Sequence, residues 1–150
     1  MRIYPLSKLI FPSLMFIVLI INISCGDKQK EYIPYAYVNF TVDLNINNNL
    51  KSPGYSMIYP GGYGGVVVYC YTYDFSAPSN SIYYAYDATC TYEISDTCSI
   101  VNKDHSMYGV CPYCHSKFDF NTGYPISGVA LYPLKSYTIS VLNDVLYVNN

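Results

Sequence analysis

Cys111-Pro112-Tyr113-Cys114-His115-Ser116-Lys117-Phe118-Asp119 decides how this chain is read. Two cysteines with two residues between them can place both sulfurs on one metal ion. Pro112 fixes its own backbone angle and stiffens the turn that aims the thiols. The stretch is followed by Gly128-Val129-Ala130-Leu131-Tyr132-Pro133-Leu134-Lys135-Ser136-Tyr137, and preceded by Asp87-Ala88-Thr89-Cys90-Thr91-Tyr92.

Outward from the cysteines, helical periodicity is almost absent. Short β-rich runs alternate with Gly, Pro, Asn and Ser clusters, which is the signature of an all-β fold. Residues 35–44 alternate, with Val38, Phe40, Val42 and Leu44 on one face. Residues 45–54 read as a polar, Asn-rich turn region. Residues 60–65, Pro-Gly-Gly-Tyr-Gly-Gly, form a glycine loop that feeds a strand over 66–73. A phosphate cradle would need a helix N-terminus after those glycines, so the loop is read as a turn. Further strands are expected over 81–87, 108–111, 117–120, 128–132, 137–142 and 146–148. Asn143-Asp144 is the turn of the last hairpin.

The cysteine-bearing stretches together resemble the binding loops of Rieske iron–sulfur domains. The family's second loop reads Cys-Pro-x-His-Gly-Ser-x-Phe-Asp, with a Gly-Pro-Ala…Pro-Leu…Tyr tail. Cys111, Ser116, Phe118 and Asp119 fall in register with it, Cys114 stands at the ligand His, and His115 stands at the Gly. The first loop should be Cys-x-His; Cys90 is kept and Tyr92 replaces the His. The resemblance covers roughly residues 64–150. It implies an antiparallel Rieske-like β-sandwich with a small loop subdomain that carries the cysteines. It also implies a [2Fe–2S] cluster, which in this family is held by two Cys on one iron and two His on the other. Both His positions are changed here. The disulfide that usually ties the two loops is altered too. Tyr113 occupies one half of it, and Cys98 lies beyond the usual place of the other.

Read as ligands, Cys90, Cys98, Cys111 and Cys114 are the candidate metal set. Four thiolates make a closed zinc or iron site, or can carry an iron–sulfur cluster. The same four can pair as disulfides with no metal, and the sequence does not choose among pairings. Cys70 lies inside the 66–73 strand and reads as a small core hydrophobe. His115 follows Cys114 in a loop and is expected to cap it or face solvent. His105 sits in a polar turn. No Ser nucleophile elbow or zincin helix is present and the acidic residues are scattered, so no catalytic residue is assigned.

The N-terminus is read separately. Arg2 and Lys8 precede a mostly apolar run over 9–23, interrupted by Pro12. A membrane span needs about 20 apolar residues, so residues 1–24 read as a signal peptide. Ser24-Cys25 resembles a bacterial lipobox, with Cys25 acylated as the first mature residue. Residues 25–34 are then a lipidated tether and residues 35–150 the β domain. Loss of Arg2 and Lys8 takes the formal charge from −2 to −4. Few charges and no basic cluster argue against nucleic acid as a partner. The expected partners are the lipid bilayer, through Cys25, and an envelope protein. The expected location is the bacterial cell envelope. Tyrosine is abundant, with 20 residues and no Trp. It suits half-buried strands and can stack on sugars, and a coding bias toward Tyr, Ile and Asn explains it equally well.

Two classes of function remain from the sequence. One is a membrane-anchored metal or iron–sulfur module, or a degenerate electron-transfer module, without a catalytic centre. The other is a structural envelope lipoprotein held by disulfides.

Overall fold

The computed structural model describes residues 32–94, 99–102 and 106–150. The expected signal peptide, the expected acylation site Cys25, Cys98 and His105 lie outside the described residues. Nine antiparallel strands are described: β1 (Asn39–Asp43), β2 (Ser56–Tyr59), β3 (Val66–Thr72), β4 (Ile82–Asp87), β5 (Tyr108–Val110), β6 (Lys117–Asp119), β7 (Pro125–Ser127), β8 (Ser136–Leu142) and β9 (Val145–Asn149). They form a six-stranded sheet in the order β1-β9-β8-β4-β3-β2 and a three-stranded sheet in the order β5-β6-β7. The large sheet is strongly rolled. Its two edge strands meet through Phe40 and Tyr59, whose ring centroids are 5.5 Å apart.

The near-continuous apolar run of β3 is explained by what lies on each side of it. Successive strand side chains point to opposite faces. Val66, Val68 and Cys70 enter a core inside the rolled sheet, with Val42, Leu44, Ala85, Leu146 and Val148. Val67 and Tyr69 enter a second core under the small sheet, with Tyr86, Cys90, Ile100, Cys111, Phe118 and Phe120. A strand buried on both faces has no polar alternation to show. Cys70 is therefore packing, as its sequence context indicated. The first core is plugged at one end by a 3-10 turn, Asn48–Lys51, that buries Leu50. The Tyr83 hydroxyl donates to the Leu50 carbonyl at 3.0 Å.

The glycine loop holds a carboxylate of the protein itself. Asp87 ends β4 and is fully buried. Its Oδ2 accepts from the Tyr63 amide at 2.6 Å and the Tyr137 hydroxyl at 2.8 Å. Its Oδ1 accepts from the Gly64 amide at 3.2 Å, and from the amide and hydroxyl of Thr89 at 2.9 and 2.5 Å. A buried charge is tolerable when its hydrogen-bonding capacity is filled in this way. Gly62 sits at φ +65°, and a Cβ there would meet Asp87 Oδ2 at 2.6 Å. The loop needs glycine because the carboxylate lies against its backbone.

Three expectations need correction. The strand placed at 128–132 is instead β7, Pro125–Ser127. Gly128, at φ +99°, turns the chain out of the extended conformation. The region 45–54 is not turn alone, since it holds the 3-10 element that buries Leu50. β2 has no counterpart among the expected strands, because Ser56–Tyr59 is short and flanked by Pro and Gly. Asn143 and Asp144 both have positive φ, 50° and 59°, as a tight two-residue hairpin turn requires.

Candidate metal centre

β5 and β6 run antiparallel with Val110 opposite Lys117, and the chain between them closes tightly. The Cys111 amide donates to the Ser116 carbonyl, and the His115 amide donates to the Cys111 carbonyl, both at 3.0 Å. His115 reaches this closure at φ 59°. That is the left-handed region, which suits the Gly that the resembling family places here and which a His adopts at some cost. The loop is thus left-handed at this point. His115 is exposed and joins no ligand group, so it faces solvent.

Cys90 comes from the opposite side. It follows β4 by three residues and is held there by short contacts. The Ile100 amide donates to the Ala88 carbonyl at 2.6 Å, and the Thr91 hydroxyl donates to the Tyr132 carbonyl at 2.7 Å. The Sγ atoms of Cys90, Cys111 and Cys114 all lie within 4.8 Å of one another, with Cys90 and Cys114 at 3.5 Å. None of the three is in a disulfide; Cys90 and Cys111 are buried and Cys114 is partly so. Residues about twenty apart in sequence are therefore brought to ligand distance. Cys98, the fourth member of the expected set, lies outside the described residues. Tyr92, at the other changed His position, is 57% exposed.

Burial pushes the Cys90 thiol up to about 12; the backbone amides of Glu93 and Tyr92 act against this, and its hydrogen bonds with Cys114 and Cys111 add to the rise. A neutral, buried thiol next to two others is the resting state of the site without a cation, because a thiolate there would be unshielded.

Ser116 is the residue whose importance the motif understated. Its Oγ accepts from the Val129 and Ala130 amides, each at 3.0 Å, and lies 3.2 Å from Cys114 Sγ. It ties the segment after Gly128 to the thiol loop. A Cβ on Gly128 would meet Ser116 Cα at 2.5 Å, so the two backbones are in direct contact. Asp87 carried less signal still. Only an acidic residue closing an apolar strand hinted at its place.

No protein-family model matches the chain, and no curated protein matches it. Solved structures do. The cyanobacterial plasma membrane Rieske protein PetC3 from Synechocystis superposes with a TM-score of 0.53 at 21% identity, covering 75% of this chain and 99% of that one. The ferredoxin of carbazole 1,9a-dioxygenase from Nocardioides aromaticivorans gives a TM-score of 0.48 at 20% identity, over 76% of this chain and 97% of that one. The chain has a Rieske-like, all-β antiparallel fold.

The Rieske cluster that this fold implies does not fit the residues present. It needs two imidazoles on one iron, and no His joins the three thiols among the described residues. Among the described residues the donor set is sulfur alone.

Proposed function

We propose that this chain is a metal-binding module on a Rieske-like fold, anchored in the bacterial cell envelope by acylated Cys25 and without a catalytic centre of its own. The observation that carries the metal reading is the convergence of Cys90, Cys111 and Cys114 to within 4.8 Å. Three thiol sulfurs at that separation are a soft ligand set for zinc, iron or copper(I). The module serves as an accessory part of a redox or envelope complex. A partner would meet the exposed side chains that flank the thiols in sequence, Tyr92 and Tyr113.

Metal and acid-labile sulfide analysis of natively purified protein tests this reading. Bound metal that is lost from a triple Cys90→Ser, Cys111→Ser, Cys114→Ser variant supports it. Wild-type protein that neither carries nor takes up metal refutes it. The anchor is tested by fractionation: Cys25→Ser should move the protein from the membrane to the soluble fraction, and retention in the membrane would overturn the lipoprotein reading.

The 3.5 Å between Cys90 and Cys114 also favours a second reading, a structural protein in which these two sulfurs pair by exchange with a disulfide oxidant. Thiol counting on freshly isolated protein separates the two.

A further inference from the structure

Resting on the metal-binding reading above, the geometry points to a single thiophilic ion of the Zn2+ class, bound by the thiolates of Cys90, Cys111 and Cys114 in place of a two-iron cluster. In the arrangement of the resembling family, the positions of Cys90 and Cys111 serve one iron, and those of Tyr92 and Cys114 serve the other. Ligands of opposite irons are separated by the whole diiron core. Here Cys90 and Cys114 are 3.5 Å apart. A Zn–S bond of about 2.3 Å gives a tetrahedral S–S edge of about 3.8 Å. The sulfur that should serve the far iron thus stands one tetrahedron edge from a sulfur of the near iron. The far iron would have no imidazole from the two family positions, because Tyr92 is an exposed phenol and Cys114 stands beside Cys90.

The hydrogen bonds agree with a thiolate set. A serine hydroxyl has one hydrogen and two lone pairs. Both lone pairs of Ser116 Oγ are taken by the Val129 and Ala130 amides. The Cys114 thiol is directed at Oγ from 3.2 Å, and once Cys114 is a thiolate the serine hydrogen can turn to it instead. The backbone amides of Tyr92 and Glu93 are directed at Cys90. Donors of this kind orient metal-bound sulfurs and spread their charge. Binding releases the thiol protons to solvent as the three S–metal bonds form, with no change of oxidation state. Among the described residues, three protein sulfurs take three of the four tetrahedral positions.

Titration of the reduced, metal-free full-length protein with Co2+ tests this. The expected result is one Co2+ per chain, with the sulfur-to-cobalt absorption of a tetrahedral thiolate site, displaced by Zn2+. Cys114→Ser should abolish that absorption, Ser116→Ala should weaken binding by about tenfold, and Cys70→Ser should leave it unchanged. Should Cys114→Ser fail to fold, the rise in wild-type melting temperature on adding Zn2+ carries the same information. Reconstitution with iron and sulfide that yields two irons and two sulfides per chain, resistant to Zn2+, would overturn the single ion while leaving the metal-binding reading intact. Failure to bind Co2+, Zn2+ or an iron–sulfur cluster would overturn both.

Discussion

At the residue scale, two buried acceptors set the positions of the thiol loops. Ser116→Ala leaves the amides of Val129 and Ala130 without their acceptor. The expected loss is about 1–3 kcal/mol, read as a lower urea midpoint with an unchanged slope. Asp87 is more sensitive. Five donors converge on its two oxygens. Asp87→Asn keeps the shape but turns an NH2 group toward donors, which are then unpaired. The loss should be on the order of 3 kcal/mol, measured by the same unfolding experiment. An Asp87→Asn variant as stable as the parent would show that the glycine loop does not depend on the carboxylate.

At the scale of elements, Gly128 is the joint between β7 and the segment that roofs the thiols. Gly128→Ala must displace Ser116 backbone and also hold an Ala at φ +99°. The left-handed conformation alone costs about 1–2 kcal/mol, so the variant should melt clearly below the parent. The strands that sequence reading located were those with clean alternation or an unbroken apolar run, such as β1, β3 and β8. β2 escaped because a four-residue strand between glycines and prolines has too few positions to show a period. β7 was displaced by a few residues because the apolar stretch 129–132 looked extended. Its course is fixed instead by Gly128 and by side-chain bonds from Ser116 and Thr91. The Cys111–Cys114 pair was legible from spacing. That Cys90 stands beside it was legible only through the family resemblance, since nothing local records which loops will converge. The Asp87 network left almost no trace, because a side chain accepting from loop amides has no periodicity.

At the scale of the whole molecule, buried acids that ionise late bind stability to pH. Burial is the leading cause for each of them: it pushes Cys70 up to about 11, Cys90 to about 12, and Tyr59 and Tyr86 to about 12, while Tyr83 is raised further. In the unfolded chain these thiols and phenols ionise near 9.0 and 10.0. Below those values both states are protonated and stability is at its full level. Above them the unfolded chain loses protons first, so stability falls as pH rises toward about 12. Metal-free protein should therefore show denaturation midpoints that decline steadily from about pH 9 upward. Added Zn2+ should raise the midpoint, because bound thiolates remove Cys90 from this set. A flat alkaline limb would contradict the burial of these groups.

Asp87 stands three residues ahead of Cys90, and its hydrogen bonds join the glycine loop, Thr89 and Tyr137 of β8 at that point. The consequence concerns the order of assembly. Many small metal domains are unstructured until the ion arrives, so loading and folding are one event. Here the segment that leads to Cys90 is fixed around the chain's own carboxylate. Loading and folding should then be separable, with the ion entering a site whose Cys90 side is already fixed. Stripping the metal with a chelator should leave the far-ultraviolet circular dichroism unchanged, with a lower melting temperature as the only trace of the loss. Collapse of the spectrum on chelation would mean that the ion, and not the Asp87 clasp, holds the loops together.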